Sequence, residues 1–391
     1  MFLLEHDAKT LLSRGGIRIP DGILIESTSA LDDAVLPAGP WVVKAQIPAG
    51  GRGKAGGVRV VDEESGLRAA VRDLLGARIS AHPVGAVQVE RRIENAAEAY
   101  LSLMVDPTEA GIRVLLSAEG GTEIEASARC GGSLATAVAA PDAVAITDAA
   151  RRLVDGDLSD DVSHTTRAAL ISACELLTPI FLSLEALLLE INPLFALADG
   201  AWIAGDAKLV VDDNAFGRNR LLDDILDRRG DAYPSARFKR ENGFDYVELD
   251  PDGSIGLLTT GAGLSMMLID ELRAQGLRPL NFLDIRTGEL RGDPARLIEV
   301  LARFAAAPAL RVVLVNIFAG ITHLGEFARL LLDALEATPK LRAPIVARLV
   351  GNDLEEAREV LAPIGDRIHI EPDLGRALDA VAGHLDGGDN R

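Results

Sequence analysis

Residues 1–235 are predicted to form an α+β domain, and residues 245–388 an α/β domain built on a parallel sheet. Three observations carry this reading. In the C-terminal third, short β-branched apolar runs alternate with amphipathic helical segments at regular spacing. In the first part, strand-like runs pair around turn signals, and a Gly-rich connection joins two of them. Between the two patterns lies a charged stretch, 218–243, where the boundary belongs. A chain of 391 residues, at roughly 150 residues per domain, has room for two to three domains with large cores of their own.

In chain order, apolar residues at helical spacing predict a helix over 5–14. Strands at 41–47 and 58–61 flank the Gly-rich connection, and a helix over 64–75 follows. Further strands are expected at 87–90, 99–105, 112–117, 188–194 and 201–209, with a long helix over 165–184. The C-terminal pattern gives strands at 255–260, 279–285, 311–317, 344–349 and 367–371. Helices at 264–275, 294–306, 324–337, 354–361 and 374–385 lie between and after them. Such alternation predicts a doubly wound domain of flavodoxin-like or Rossmann-like type, with helices on both faces of the sheet.

The balance of 40 Lys+Arg against 59 Asp+Glu leaves a net charge of −19. An acidic surface repels phosphate backbones and anionic headgroups, which argues against nucleic-acid and membrane-surface binding. A small anion held in a local basic pocket is compatible with it. Cys130 and Cys174 make neither a zinc site nor a disulfide framework, which points to a reducing compartment. The start of the chain has no basic stretch followed by an apolar one, and it is not an Arg-rich transit segment. The most apolar stretch, 181–189, is interrupted by Ser183 and Glu185 and is shorter than the ~20 residues a membrane span needs. A cytoplasmic location is expected.

Four groups of residues could carry chemistry. The segment Ala49-Gly50-Gly51-Arg52-Gly53-Lys54-Ala55-Gly56-Gly57 holds five glycines and two cations. It satisfies G-x-G-x-x-G formally, but a strand rather than a helix follows, so the dinucleotide fingerprint fails. Lys54 is followed by Ala55, so it is not a Walker A loop. Bare backbone N–H groups at Gly51 and Gly53 can still approach a phosphate closely, with Arg52 beside them and Lys44 adding charge from the preceding strand. Alone, the loop reads equally as a phosphate cradle or as a surface turn.

In the second group, strand alternation puts Glu190 and Asn192 on one face and Asp206 and Lys208 on one face of the next strand. If those faces coincide they form the partial oxygen cage that Mg²⁺ takes, completed by water and phosphate. The same alternation describes a solvent-facing polar edge, the plainer reading of the pattern alone. Glu90 and Glu98, the third group, end one strand and open the next, where a carboxylate can accept from a ribose or a base amine or be surface charge. The fourth comprises Thr260-Gly261-Ala262-Gly263 and Ala319-Gly320-Ile321-Thr322-His323, each at the carboxyl end of a predicted strand and the start of a helix. Ligands of open α/β sheets bind there, although the glycines also serve tight βα turns.

Together these blocks resemble the β subunit of succinyl-CoA synthetase, the nucleotide-binding chain of the ADP-forming acid:CoA ligases. The resemblance runs in order along nearly the whole chain. It is carried by Glu5 with Ala8-Lys9, by Gly39 to Lys44, by Ala49 to Gly57, and by Glu119-Gly120-Gly121 with Ile124-Glu125. It continues through Glu190-Ile191-Asn192-Pro193-Leu194, Asp206 with Lys208-Leu209, Asn214-Ala215, Gly261 to Leu264, Asn281 to Asp284 and Val315 to Phe318.

The resemblance implies an ATP-grasp domain followed by a flavodoxin-like ligase domain. It makes Lys44, Gly51, Arg52, Gly53, Glu90 and Glu98 nucleotide contacts, Asn192 and Asp206 the Mg²⁺ ligands, and Thr260, Gly320, Ile321 and Thr322 the substrate-binding residues. It implies ATP, with GTP possible, as the nucleotide. It also implies a partner α subunit that carries the CoA site and a phosphohistidine, none of the six histidines here standing in that context. In such enzymes an acid is activated as an acyl phosphate and then attacked by CoA.

The departures gather where the acid should sit. The family's run of three glycines after Asn281-Phe282-Leu283-Asp284 is replaced by Ile285-Arg286-Thr287-Gly288-Glu289. Thr260 stands at its substrate-contacting Asn, and its Gly-Ile-Val-Arg becomes Gly320-Ile321-Thr322-His323. The segment after Glu125 is also shortened. Losing an amide and a guanidinium changes how an acid can be hydrogen-bonded. The expected activity is therefore acid:CoA ligation with succinate or another di- or hydroxy-carboxylate such as malate. The alternatives are a carboxylate–amine ligase, disfavoured by the flavodoxin-like domain, and a catalytically idle nucleotide-binding paralogue.

Overall fold

Alternation in one short strand explains how the first sheet is laid down. In Trp41–Ala45, Val43 and Ala45 point into a core while Val42 and Lys44 face the opposite way. The computed structural model describes residues 1–80, 82–121, 134–158, 160–285, 292–319 and 323–386. They fall into two units, Met1–Arg228 and Arg229–Arg391. The break lies inside the charged stretch, a few residues before the expected limit at 235.

The first unit begins with α1 (Glu5–Arg14), β1 (Gly22–Ile25), α2 (Thr28–Asp33), β2 (Trp41–Ala45), β3 (Val58–Val61) and α3 (Glu64–Leu74). The short β4 (Arg78–Ile79) and β5 (His82–Pro83) and then β6 (Val87–Arg91) follow. Strands β1, β6, β2 and β3 make an antiparallel sheet in that order. Val43, Ala45, Val87 and Val89 pack against Leu67, Val71 and Leu74 of α3. Lys44, Gln88 and Glu90 are left on the other face, with Val42 directly opposite Glu90.

A second sheet takes β7 (Ala97–Asp106), β8 (Gly111–Ser117), β9 (Ala135–Ala139), β10 (Ala186–Ala196), β11 (Trp202–Ala204) and β12 (Ala207–Val211). Its order is β11-β10-β7-β8-β9, with β12 also pairing β10. Helices α4 (Ala143–Gly156) and α5 (His164–Ser183) cover it. Each starts on a side-chain cap: Asp142 accepts from the N–H of Val144 and Ala145, and Ser163 from that of Thr166. By length and composition α5 could cross a membrane. Here it is a core helix, with Leu170, Ala173, Cys174, Leu177 and Phe181 buried.

The expected strand 201–209 is two strands. Strand β10 carries one extra residue at Asn192-Pro193, so Ile191 opposes Leu101 while Leu194 opposes Ala99. Its two arms then diverge: β12 pairs with Ala186–Ile191 and β11 with Leu194–Ala196, and the chain bends between them at Gly205-Asp206. A Cβ at Gly205 would stand 2.4 Å from the Phe195 ring, so this bend admits no side chain.

After α6 (Arg220–Arg229), the second unit contains α7 (Pro234–Asn242) and β13 (Asp245–Glu248). The wound part is β14 (Ile255–Thr259), α8 (Ala262–Ala274), β15 (Asn281–Asp284), α9 (Ala295–Ala306), β16 (Val312–Ala319) and α10 (Leu324–Ala337). It ends with β17 (Ile345–Gly351), α11 (Leu354–Leu361), β18 (Ile368–Ile370) and α12 (Leu374–Asp386). Strands β14, β16, β17 and β18 form a parallel sheet in that order. Val313, Val315 and Ile317 face the core with α9, α10 and α11, and Val312 and Leu314 face α8 and α12, so both faces are covered as expected.

One expected member of that sheet differs. Strand β15 pairs antiparallel with β13 and meets β14 through the bridges Ile255–Pro279 and Thr260–Ile285. The reason is Asn281, whose buried amide takes the ladder positions of Leu257: Leu257 N donates to Asn281 Oδ1 at 2.8 Å and Asn281 Nδ2 to Leu257 O at 3.0 Å. Phe238, from the charged stretch between the two expected domains, belongs to this unit and packs edge-on against Phe244 at 5.0 Å, under the Arg303 guanidinium.

Candidate functional site

Helix α1 is anchored beside β12 by Leu3 N donating to Leu209 O at 2.9 Å. That places Glu5 and Lys9, one turn apart on one helix face, against the polar face of β2 and β6. All four charged groups there are buried: Glu5, Lys9, Lys44 and Glu90. Lys9 Nζ lies 2.8 Å from Glu5 Oε1 and 2.6 Å from Glu90 Oε1, and Lys44 Nζ lies 2.7 Å from Glu5 Oε1 and 3.0 Å from Glu90 Oε2. Both ammonium groups also donate to Gly205 O at 2.7 Å, tying the β11–β12 bend to the first sheet.

The Gly-rich connection folds as a turn over the same place. Gly51 has φ +71°, a conformation open to glycine, and Gly57 N donates to Arg52 O at 2.8 Å. The Arg52 side chain returns under the loop: Nη1 donates to Ala45 O at 3.0 Å, and Nη2 to Asp206 Oδ1 at 2.9 Å and Oδ2 at 2.7 Å. Nη2 is also 2.7 Å from Glu5 Oε2. Burial alone would raise the Glu5 pKa, but Lys44, Lys9 and Arg52 outweigh it and hold the carboxyl well below its ordinary value. Burial works against the charge on Lys44 as well; Glu5, Glu90 and Asp206 outweigh it and raise the ammonium pKa.

These residues wall a cleft of about 490 Å³ inside the first unit. Lys44, Gly51, Arg52, Gly53, Glu90, Glu98, Asn192 and Asp206 all line it. The Gly-rich loop and the strand pair thus line one and the same cleft. The Glu98 side chain makes no ion pair or hydrogen bond with a described residue, whereas that of Glu90 is engaged by Lys9 and Lys44. Asn192 is set by the β10 bulge, its amide accepting from Gly121 N at 2.6 Å and donating to Gly121 O at 3.1 Å. Asn192 N and Asp206 O lie 3.4 Å apart across the strands, so the two candidate metal ligands are neighbours. Their donor set, one amide oxygen with a free lone pair and one carboxylate, fits a Mg²⁺ ion that takes its remaining ligands from water and phosphate. Glu190 lies opposite Lys208 and accepts from Tyr100 Oη at 3.3 Å.

In the second unit Thr260 directly follows β14, two residues before α8. Its buried hydroxyl has no hydrogen-bond partner among the described residues. Gly320, Ile321, Thr322 and Arg286 lie outside the described residues. His323 caps α10 and pairs through Nδ1 with Asp353 Oδ2, at the carboxyl ends of β16 and β17. The Asp353 hydrogen bond and charge raise the His323 pKa.

Residues 2–196 match the family described as ATP-grasp domain, and residues 258–368 that described as CoA-ligase. Fold and cleft therefore define an ATP-grasp protein with a CoA-ligase domain behind it. The chain belongs to the family of succinate–CoA ligase (ADP-forming) β subunits. It is 35% identical over 375 residues to that of Thioalkalivibrio sulfidiphilus, covering 93% of this chain and 95% of the relative. It is 36% identical to those of Chloroflexus aurantiacus, covering 93% of both chains, and Ignicoccus hospitalis, covering 93% and 94%. Among solved structures, the ATP citrate lyase of Methanothrix soehngenii in complex with citrate and coenzyme A shares the fold. The TM-score is 0.71 at 16% identity over 98% of this chain and 99% of that one.

Glu5 and Lys9 are the site residues that sequence reasoning passed over. Their spacing on one helix face and their place in the family's pattern were the available signal, but nothing local says that the face meets β2 and β6.

Proposed function

We propose that this chain is the nucleotide-binding β subunit of an ADP-forming acid:CoA ligase, converting acid, CoA and ATP to acyl-CoA, ADP and phosphate. The observation that carries this is the single cleft in which the Gly-rich turn, Lys44, Arg52, Glu98, Asn192 and Asp206 converge. Backbone N–H groups at Gly51 and Gly53, with Arg52 and Lys44, would hold the phosphates of ATP or GTP. Glu98 would accept from the ribose or base, and Glu90 would fix Lys44. Asn192 and Asp206 would hold Mg²⁺, whose chemistry there would be to neutralise phosphate charge.

The phosphoryl group would pass to a histidine of a partner α subunit, which also binds CoA. From there it would reach the acid, giving an acyl phosphate that the CoA thiol attacks with release of phosphate. The Thr260 hydroxyl, without a partner among the described residues, and the N-terminus of α8 supply donors suited to a carboxylate. Residues 320–322 complete that site in this reading. A cytoplasmic location fits the acidic, thiol-bearing chain. Succinate is the acid named for the relatives. Thr260 and the His323–Asp353 pair favour, as a second reading, another di- or hydroxy-carboxylate.

The test is co-expression with an α-like chain and a panel of acids assayed for CoA-thioester formation with Mg-ATP. Turnover of succinate supports the first reading and turnover of another acid alone supports the second. Stable complex and nucleotide binding without any thioester would overturn both in favour of an idle paralogue.

A further inference from the structure

Among the charged groups buried at the floor of the cleft, Lys9, Lys44 and Arg52 are matched by Glu5, Glu90 and the partly exposed Asp206. Each of these three cations is already paired, so a phosphate that is to take one of them has to displace a carboxylate from it. The three carboxylates are not equivalent. The side chains of Glu5 and Glu90 are 1% and 2% exposed, each shared between two or more cations, and moving either strands buried charge. Asp206 is 27% exposed, contacts Arg52 alone among these cations, and sits at the Gly205-Asp206 bend rather than within a strand. Its neighbour across the strands is Asn192.

We infer that Asp206 is an exchangeable counter-ion, which neutralises Arg52 and hands it over to phosphate when a divalent cation takes the carboxylate. The inference rests on the nucleotide reading of the cleft and adds a coupling to it. Without a metal, phosphate can take Arg52 only by leaving Asp206 unpaired beside it, a like-charge contact. With the metal, Asp206 and Asn192 turn to the cation and the guanidinium is released. Metal and nucleotide then bind as one unit, each raising the affinity for the other.

The test is calorimetric titration of ADP in EDTA and of Mg-ADP into the full-length wild-type chain and Asp206→Asn. The amide keeps the shape and removes the charge. Metal-free ADP is expected to bind Asp206→Asn about tenfold more tightly than wild type, and the gain from Mg²⁺ to shrink by a similar factor. In an Arg52→Gln background the same substitution should gain nothing in EDTA. Should Asp206→Asn fail to fold, as judged by circular dichroism, Asp206→Ser carries the same comparison. Metal-free affinity that is unchanged or weaker in the variant, with wild type binding Mg-ADP, overturns the inference alone and leaves Asp206 a metal ligand only. Wild-type protein that binds neither form overturns the nucleotide reading and the inference with it.

Discussion

At residue scale, the chemistry turns on charges that only the fold brings together. Glu5 is separated from Lys44 and Arg52 by most of a subdomain in sequence, yet it is the buried carboxylate that both share. The second unit offers a pair whose behaviour is open to direct measurement. Asp353 sits at φ +63° with its carboxylate on His323 Nδ1, and Glu326 and Glu356 add weaker negative charge around the ring. Because the folded pKa of His323 is raised above 6.5, the pair stabilises the protein at pH below 6.5. That contribution is lost as pH rises through the raised value. Asp353→Asn, which tolerates the left-handed backbone, should bring the His323 midpoint back toward 6.5 in an NMR titration of the ring protons. An unchanged midpoint would show that Asp353 is not the cause. The residues of the cleft, Lys44, Arg52, Asn192 and Asp206, were candidates in the sequence, but their spacing alone left a surface turn and a polar edge open, and the family resemblance is what singled them out. Engagement of Glu90 by Lys9 was not legible there, since it depends on how α1 docks.

Among the elements, the same contrast has a geometric cause. The strands of the second unit were legible because both faces are buried and apolar runs such as Val312–Ala319 have no polar face to hide. Helix α4 and strand β9 escaped notice. Their runs are rich in alanine, which marks neither a strong apolar face nor a turn. The split of 201–209 into β11 and β12 follows from the β10 bulge, a register event that pairing creates and composition does not announce. Strand β15 shows an element held by one side chain. Asn281→Leu keeps the volume but strips Leu257 N–H and C=O of their partners, at a cost of about 1–3 kcal/mol for each buried group. Denaturant unfolding should report that loss in the second unit, and a variant as stable as wild type would mean that the β14–β15 contact does not depend on Asn281.

For the molecule as a whole, the two units have separate cores, and the cleft proposed to hold the nucleotide is lined by residues of the first alone. On a chain of net charge −19, Lys9, Lys44 and Arg52 are buried at that cleft, each paired with carboxylates. The α+β and α/β division and the domain order were readable from periodicity, the ATP-grasp fold only from the family resemblance, and the break falls at Arg228, inside the charged stretch where the boundary was expected. The central claim is that this chain binds the nucleotide whose phosphoryl group is passed to a partner. The most direct test incubates the complex of this chain and its α-like partner with γ-labelled ATP and Mg²⁺. Acid-labile label is expected on the α chain, dependent on this chain and lost in Lys44→Ala. Label that reaches the α chain without this chain, or that survives Lys44→Ala undiminished, would contradict it.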